Sequence, residues 1–142
     1  MAGQAGVQGI VASADPKTVL LVDDEESVRV LTARQLEGAG YRVLTAQDGV
    51  EALRLLDTTK WPVGLVITDL RMPRMDGIQL ANRLSQRTPA PLVLFISGAS
   101  RNAVNELPGP VLYKPFSTED LLSQTRLLLA QGGEIIPPSA QS

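Results

Sequence analysis

Five short apolar runs, separated by segments with a helical period, constrain the fold of this chain most strongly. The runs are Thr18–Val22, 41–46, 63–68, 92–96 and Val111–Tyr113. A continuous run such as the first, rich in β-branched residues, is typical of a strand buried on both faces. Strands that alternate with helices through short loops predict a parallel sheet with helices on both sides. We therefore expect an α/β fold of five βα units, doubly wound around one sheet.

The segments between the strands have helical features. The first has residues at helical spacing followed by two glycines that favour a stop: Val28, Leu31, Gln35, Leu36, Ala39, Gly38 and Gly40. Asp48 with Glu51 predicts a capped second helix through Leu53 and Leu56. Further helices are predicted at 77–86 and 100–106. The last helix is predicted to begin at a cap and to bury one side, with these residues: Ser117, Asp120, Leu121, Leu122, Thr125, Leu128 and Leu129.

The length of 142 residues fits one domain. Residues 1–16 and 132–142 are rich in small and polar residues without periodicity, so we expect a flexible arm and tail around a domain at 17–131. Net charge is −2 and no basic run is present, so nucleic-acid binding is not expected. No apolar stretch approaches the roughly 20 residues of a membrane helix, and no secretion signal is visible. A cytoplasmic location without membrane contact is therefore expected.

The chain has neither cysteine nor histidine. Disulfides, thiolate nucleophiles, His-based triads and His-ligated zinc are excluded, as is a phosphohistidine on the chain itself. The remaining reactive groups are carboxylates, hydroxyls and lysines, together with the hard metals that oxygen ligands bind.

Polar residues stand at the ends of four predicted strands: Asp23 with Asp24, then Asp69, Ser97 and Lys114. Each alone has a simpler explanation, as a helix cap, a loop or turn residue, or a solvated lysine. In doubly wound folds, however, ligands bind beyond the carboxyl ends of the strands. Four such coincidences in the correct order therefore indicate one site.

The chemistry of that site follows from its residue types. Carboxylates that share a cleft repel each other and need a cation, and an oxygen-only ligand set favours Mg²⁺. A carboxylate beside Mg²⁺ and a lysine can attack phosphorus, because both cations stabilise charge on the transferring oxygens. A nearby hydroxyl can hold the product phosphate. The sequence therefore predicts phosphoryl uptake on a carboxylate.

From Lys17 to Ala130 the chain resembles the receiver domain of response regulators. The resemblance is carried by Val22-Asp23-Asp24, the nine-residue segment from Asp69 to Gly77 (DLRMPRMDG), Ser97-Gly98 and Lys114-Pro115-Phe116. It implies a flavodoxin-like (βα)5 fold with a five-stranded parallel sheet of order 2-1-3-4-5. It also implies a phosphorelay partner, either a sensor histidine kinase or a histidine phosphotransfer protein. The downstream protein partner is not identified by these motifs.

The resemblance implies a role for each matching residue. Asp69 would be the phosphoacceptor, and Asp24, Asp69 and the backbone carbonyl of Arg71 would bind Mg²⁺, with Asp23 holding metal-bound water. Ser97 would donate a hydrogen bond to the phosphate and Lys114 would pair with it. The resemblance also implies a cis peptide bond before Pro115. It implies that Arg71 and Ala99 set the lifetime of the acyl phosphate, and that Pro73 and Gly77 shape the loop after Asp69.

Two features depart from the receiver pattern. Val111 stands where many receivers have a switch aromatic, and the nearby aromatic is Tyr113, directly before Lys114. Lys114 follows Ser97 by only 17 positions, which predicts a short or irregular fourth helix. This shorter segment resembles receivers of hybrid sensor kinases or single-domain receivers, and it leaves homodimer formation open. No length remains after Ala130 for an output domain, so a single-domain protein and a fragment of a longer one are both open.

Three alternatives to a phosphorylation-controlled module fit the sequence less well. A Mg²⁺-dependent phosphatase with an Asp nucleophile would want a carboxylate two residues after Asp69, where Arg71 stands. An unphosphorylated scaffold would normally have lost an acidic or lysine position, and none is lost. A nucleotide-binding flavodoxin-like protein would need a Gly-rich phosphate loop, which is missing. We therefore expect a phosphoacceptor, not an enzyme, whose own catalysis is limited to phosphoryl uptake and acyl-phosphate hydrolysis.

Overall fold

The computed structural model describes residues 16–98 and 107–133. Its strands are β1 Thr18–Val22, β2 Arg42–Ala46, β3 Val63–Asp69, β4 Leu92–Ser97 and β5 Val111–Tyr113. Its helices are α1 Glu26–Gly38, α2 Gly49–Thr58, α3 Gly77–Leu84 and α4 Thr118–Gly133. The helix predicted at 100–106 lies outside the described residues, as do 1–15 and 134–142. Helix α4 includes the first two residues of the predicted C-terminal tail.

The five strands form one parallel sheet of order β2-β1-β3-β4-β5, which confirms the predicted 2-1-3-4-5 order. At the carboxyl end of β1, Val22 pairs with Ala46 on one side and Thr68 on the other. Further along the sheet, Asp69 lies opposite Ile96. Because all strands point the same way, the residues that follow them meet at one edge of the sheet.

Alternate strand residues pack into two separate cores, one on each face of the sheet. One core joins the strands to α1 and α4, and its strand members are Val19, Leu21, Leu65, Ile67, Leu94 and Ile96. The other joins them to α2 and α3, and its strand members include Leu20, Val22 and Val66. Because every second side chain points to the opposite face, a central strand fills both cores when consecutive residues are apolar, as in Val19–Val22.

Helix α1 begins and ends close to the predicted positions, but the side that it buries is not the side that the apolar residues predict. Thr32, Ala33 and Leu36 are buried, whereas Leu31 is 59% exposed. The apolar residues of this helix are spread around its axis, so their spacing indicates a helix without identifying the face that packs. Among the described residues, no helix is both long and apolar enough to cross a membrane.

The predicted caps of α2 and α4 are present. The Glu51 amide donates to Asp48 Oδ1 at 2.8 Å, and the Asp120 amide donates to Ser117 Oγ at 2.9 Å. Helix α1 instead follows Glu25, and no side chain caps it. The simpler interpretation of Asp24 as a helix cap is therefore wrong.

Candidate functional site

Three carboxylates meet at the carboxyl edge of the sheet. Asp23 and Asp24 follow β1, Asp69 ends β3, and one oxygen from each lies within 4.8 Å of the others. Asp23 is buried, the side chain of Asp69 is 15% exposed, and Asp24 is exposed. Strands β1 and β3 are neighbours at the point where the strand order reverses, so residues distant in sequence form one pocket there.

Asp23 is held by three hydrogen bonds. Its amide donates to Ala46 O at 3.1 Å, which continues the pairing of β1 with β2. Its Oδ1 accepts from the Glu25 amide at 2.9 Å, and its carbonyl accepts from Arg29 Nη1 at 2.7 Å. The first and third bonds fix the backbone of Asp23, and the second orients its buried carboxylate.

The environment of the pocket opposes ionisation of Asp69 and Asp23. Burial raises the pKa of Asp69 from 3.8 to about 6; Lys114 lowers this pKa, and the charges of Asp23 and Asp24 raise it. The pKa of Asp23 is also raised, chiefly by burial. Three crowded carboxylates, each with oxygen as the donor atom, fit a hard divalent cation that offsets their repulsion.

Lys114 and Ser97 lie at the same edge. The Lys114 Nζ atom is 3.9 Å from Asp69 Oδ2, and its amide donates to Ser97 O at 2.8 Å, which extends the pairing of β5 with β4. Ser97 is the buried last residue of β4. The peptide bond between Lys114 and Pro115 is cis, as the resemblance implies. The structure thus brings the lysine and the serine to the carboxylate pocket.

The loop between β3 and α3 returns beneath Asp69. The Gly77 amide donates to Leu70 O at 2.9 Å, and a Cβ atom placed on Gly77 would lie 2.4 Å from the Asp69 carbonyl oxygen. Only glycine allows this approach without a backbone shift. Arg71 lies in this loop with an exposed side chain, and the role of its carbonyl as a ligand stays a prediction.

The remaining predicted residues are less informative. Val111 and Tyr113 are both partly buried in β5, where they pair with Phe95 and Ser97 of β4. Ala99 lies outside the described residues. The proposed roles of Val111 and Tyr113 in switching, and of Ala99 in phosphate lifetime, therefore stay predictions.

Sequence reasoning missed an ion pair that involves the loop after Asp69. Arg74 forms an ion pair with Asp48, and its Nε donates to Asp48 Oδ2 at 3.0 Å. The sequence indicates Asp48 only as a helix cap. No motif links two residues separated by 26 positions, and the left-handed backbone of Arg74 (φ 68°) is not expected for arginine.

Comparison with known proteins assigns the family. The fold and the strand-end residues define a doubly wound α/β domain with an acidic pocket at its switch point. The response regulator receiver domain model matches residues 19–126. The chain therefore belongs to the response regulator receiver domain family of two-component systems, whose members generally bind Mg²⁺ at an acidic pocket and interact with sensor kinases or other partners.

Individual relatives agree with this assignment. The response regulator receiver protein CpdR of Brucella abortus (strain 2308) is 36% identical over 118 residues, which cover 80% of this chain and 97% of that protein. The sensor kinase CckA of the same organism is 37% identical over 117 residues, and the match covers 79% of this chain but 12% of the kinase. Among solved structures, the signal receiver domain of an HD domain-containing protein from Pseudomonas fluorescens Pf-5 gives a TM-score of 0.74 at 29% identity, covering 84% of this chain and 98% of that one.

Proposed function

We propose that this domain accepts a phosphoryl group on Asp69 from a phosphohistidine of a partner, in a Mg²⁺-dependent reaction, and thereby changes a protein-interaction surface. The observation that carries the proposal is the convergence of three carboxylate oxygens within 4.8 Å, with the Lys114 ammonium 3.9 Å from Asp69. Membership of the receiver family supports it. A histidine kinase or a histidine phosphotransfer protein, met in the cytoplasm, is the proposed donor.

The proposed reaction is a displacement at phosphorus. A carboxylate oxygen of Asp69 forms the new O–P bond, the P–N bond of the donor breaks, and its electron pair returns to the imidazole nitrogen. Lys114 stabilises negative charge on the transferring oxygens, and the Ser97 hydroxyl holds the product phosphate. Because this chain has no histidine, the donor belongs to another protein or to a further part of a longer one.

Asp23, Asp24, Asp69 and the Arg71 carbonyl are proposed to hold the Mg²⁺ ion. When bound, the ion would supply positive charge that further favours the ionised form of Asp69 and offsets the charge of the incoming phosphoryl group. The pKa of Asp69, raised to about 6, supports a bound cation, because it means that the pocket alone stabilises the carboxylate poorly.

Intact mass spectrometry after incubation with a small acyl or amido phosphodonor tests the function. We expect the wild-type protein to gain one phosphoryl group in Mg²⁺ and none in a chelator, and Asp69→Ala to gain none. Asp57→Ala is the matched control, because Asp57 is an exposed carboxylate paired with Arg87. A retained gain in Asp69→Ala, or no gain in the wild type, contradicts the proposal.

The same samples separate the proposal from a phosphatase. We propose uptake followed by slow self-hydrolysis, so each protein molecule binds one phosphoryl group and small phosphomonoesters are not turned over. Catalytic release of phosphate from such a monoester would favour the phosphatase alternative.

Lys114→Ala should slow phosphoryl uptake while leaving the metal site intact. Removal of one stabilising group from a transferring centre costs roughly 100-fold in rate. Since Lys114 is a cation and not a metal ligand, we expect its loss to leave Mg²⁺ affinity unchanged or slightly higher. Mg²⁺ titration and the initial rate of mass gain measure the two effects.

Lys60→Ala is the matched control for that variant, because Lys60 is an exposed lysine over the Trp61 ring, 5.0 Å from its centre. Equal uptake rates in Lys114→Ala and Lys60→Ala would remove Lys114 from the mechanism.

A further inference from the structure

An ion pair joins the start of α2 to the loop that follows Asp69. Arg74 lies in this loop, and its Nε and Nη2 atoms both donate to Asp48 Oδ2, the former at 3.0 Å. The two side chains differ in environment, since that of Asp48 is 5% exposed and that of Arg74 is 58% exposed. The carboxylate is therefore the fixed partner, and the arginine reaches it from the solvent side.

Asp48 uses both of its oxygens to connect two elements. Oδ1 accepts from the Glu51 amide at 2.8 Å and caps α2, while Oδ2 accepts from Arg74. The Glu51 amide lowers the pKa of Asp48, burial opposes this effect, and Arg74 lowers the pKa further. A buried carboxylate with this set of donors stays charged at neutral pH and holds its partner in a fixed direction.

The backbone of Arg74 has a left-handed conformation, with φ at 68°. A residue other than glycine adopts such a conformation at a cost, and it persists where the surrounding contacts require it. The ion pair supplies one such contact. Next to it, Met75 packs so closely on α2 that a Cβ atom on Gly49 would lie 2.8 Å from Met75 Sδ.

These contacts bear on the pocket through the loop between Asp69 and Gly77. Its far end is fixed beneath Asp69 by the bond from the Gly77 amide to Leu70 O, at 2.9 Å. The Arg74 and Met75 contacts fix its middle against α2. Arg71, whose carbonyl is a proposed metal ligand, lies in sequence between these two fixed points.

We propose that Asp48 and Arg74 are positioning residues, and that their ion pair holds the β3–α3 loop so that the Arg71 carbonyl faces the acidic pocket. The inference rests on the proposed function, because that function requires a cation held partly by this loop. Neither residue touches the phosphoryl group. Partners that orient metal ligands in this way typically affect metal affinity by about 10- to 100-fold when they are removed.

Two substitutions isolate the ion pair from the helix cap and from the backbone conformation. Asp48→Asn keeps a good N-cap residue but removes the charge. Arg74→Asn removes the cation but tolerates the left-handed backbone. We expect each to raise the apparent Mg²⁺ dissociation constant roughly tenfold. The double variant should lose little more than either single one, because both remove the same interaction.

The matched control is Asp57→Asn, which breaks the Arg87–Asp57 ion pair on the same helix. This pair consists of the same residue types at 2.8 Å, but it joins α2 to the segment before β4. We expect Mg²⁺ affinity to be unchanged in this variant. Equal Mg²⁺ affinity in wild type, Asp48→Asn and Arg74→Asn would overturn the inference, as would an equal loss in Asp57→Asn.

Amide hydrogen exchange in a chelator gives a second readout that needs neither metal nor phosphodonor. We expect the Gly77 amide to exchange at least about fivefold faster in Arg74→Asn, while β1 amides keep their wild-type rates. Arg74→Lys, which keeps the charge, should restore part of the protection, and Asp48→Asn, which also breaks the ion pair, covers the case in which Arg74→Asn does not fold.

Phosphoryl uptake and Gly77 amide exchange test the proposed function and the proposed role of the ion pair separately. If the wild type takes up no phosphate but Gly77 exchanges faster in Arg74→Asn, the proposed function is rejected. The inference that the ion pair holds the β3–α3 loop is then retained. Unchanged Gly77 exchange in Arg74→Asn, or in Asp48→Asn where only that variant folds, would reject the proposed anchoring of the loop by the ion pair, whatever the phosphorylation result.

Discussion

Asp69→Asn should make the metal-free protein more stable at pH 7. Burial raises the pKa of Asp69 from 3.8 to about 6, so the folded protein binds this proton more tightly than the unfolded chain. As pH rises from 3.8 through 6, the carboxyl group lowers the free energy of unfolding. The full decrease in this free energy is present above pH 6. Two pKa units correspond to about 3 kcal/mol, which is the upper limit of the expected gain. Asparagine removes this loss of stability because it carries no charge.

Urea unfolding in a chelator at pH 7 and pH 4 measures the effect. We expect the gain at pH 7 to shrink at pH 4, where Asp69 is already largely protonated in the folded wild type. Saturating Mg²⁺ should remove or reverse the difference, because ligand binding stabilises the folded wild type. Asp57→Asn is the control, since its 65% exposed side chain should change stability by under about 1 kcal/mol. A metal-free Asp69→Asn protein less stable than wild type at pH 7 would show that burial does not dominate the pocket.

Gly77→Ala should destabilise the protein by about 3 kcal/mol, near the upper end of the usual cost of overpacking. Its Cβ atom would lie 2.4 Å from the Asp69 carbonyl oxygen and 3.1 Å from Leu70 Cα, and both are backbone atoms that cannot rotate away. Relief of the clash requires the loop to move, which breaks the bond from the Gly77 amide to Leu70 O. We therefore expect phosphoryl uptake to weaken together with stability.

Gly38→Ala is the matched control for this substitution. Gly38 is the last residue of α1, and a Cβ atom there would meet nothing within 4 Å. Alanine has the higher helix propensity, so this variant should gain about 0.5 kcal/mol. Denaturant midpoints for both variants provide the comparison, and a Gly77→Ala protein as stable as wild type would contradict the tight packing beneath Asp69.

The strands and the strand-end residues could be predicted because they depend on local patterns. A continuous apolar run predicts a strand buried on both faces, and the polar residue that follows it marks the strand's end. The sheet order came from family resemblance, since the apolar runs do not specify which strands are neighbours. The local caps at Asp48 and Ser117 were also predictable, because donor and acceptor are three residues apart.

The features that could not be predicted depend on tertiary packing. Leu31 is exposed because α1 packs through Thr32, Ala33 and Leu36, a choice that apolar spacing does not reveal. The Asp48–Arg74 ion pair depends on the path of a loop and on a left-handed arginine, neither of which has a sequence pattern. The loop motif includes Gly77, but the steric reason for the glycine is a backbone oxygen that becomes a neighbour only after folding.

A short peptide that contains Asp69 would lack the rest of the proposed site. Its pocket draws on β1, β3, β4 and β5, and the residues from Asp23 to Lys114 become neighbours only through the order of the sheet. An unfolded or partly synthesised chain therefore presents Asp69 without the other proposed metal ligands and without Lys114 beside it. In a mixture of folded and unfolded molecules, a phosphodonor would label the folded molecules alone. The extent of labelling would therefore also measure the fraction of the protein that is folded.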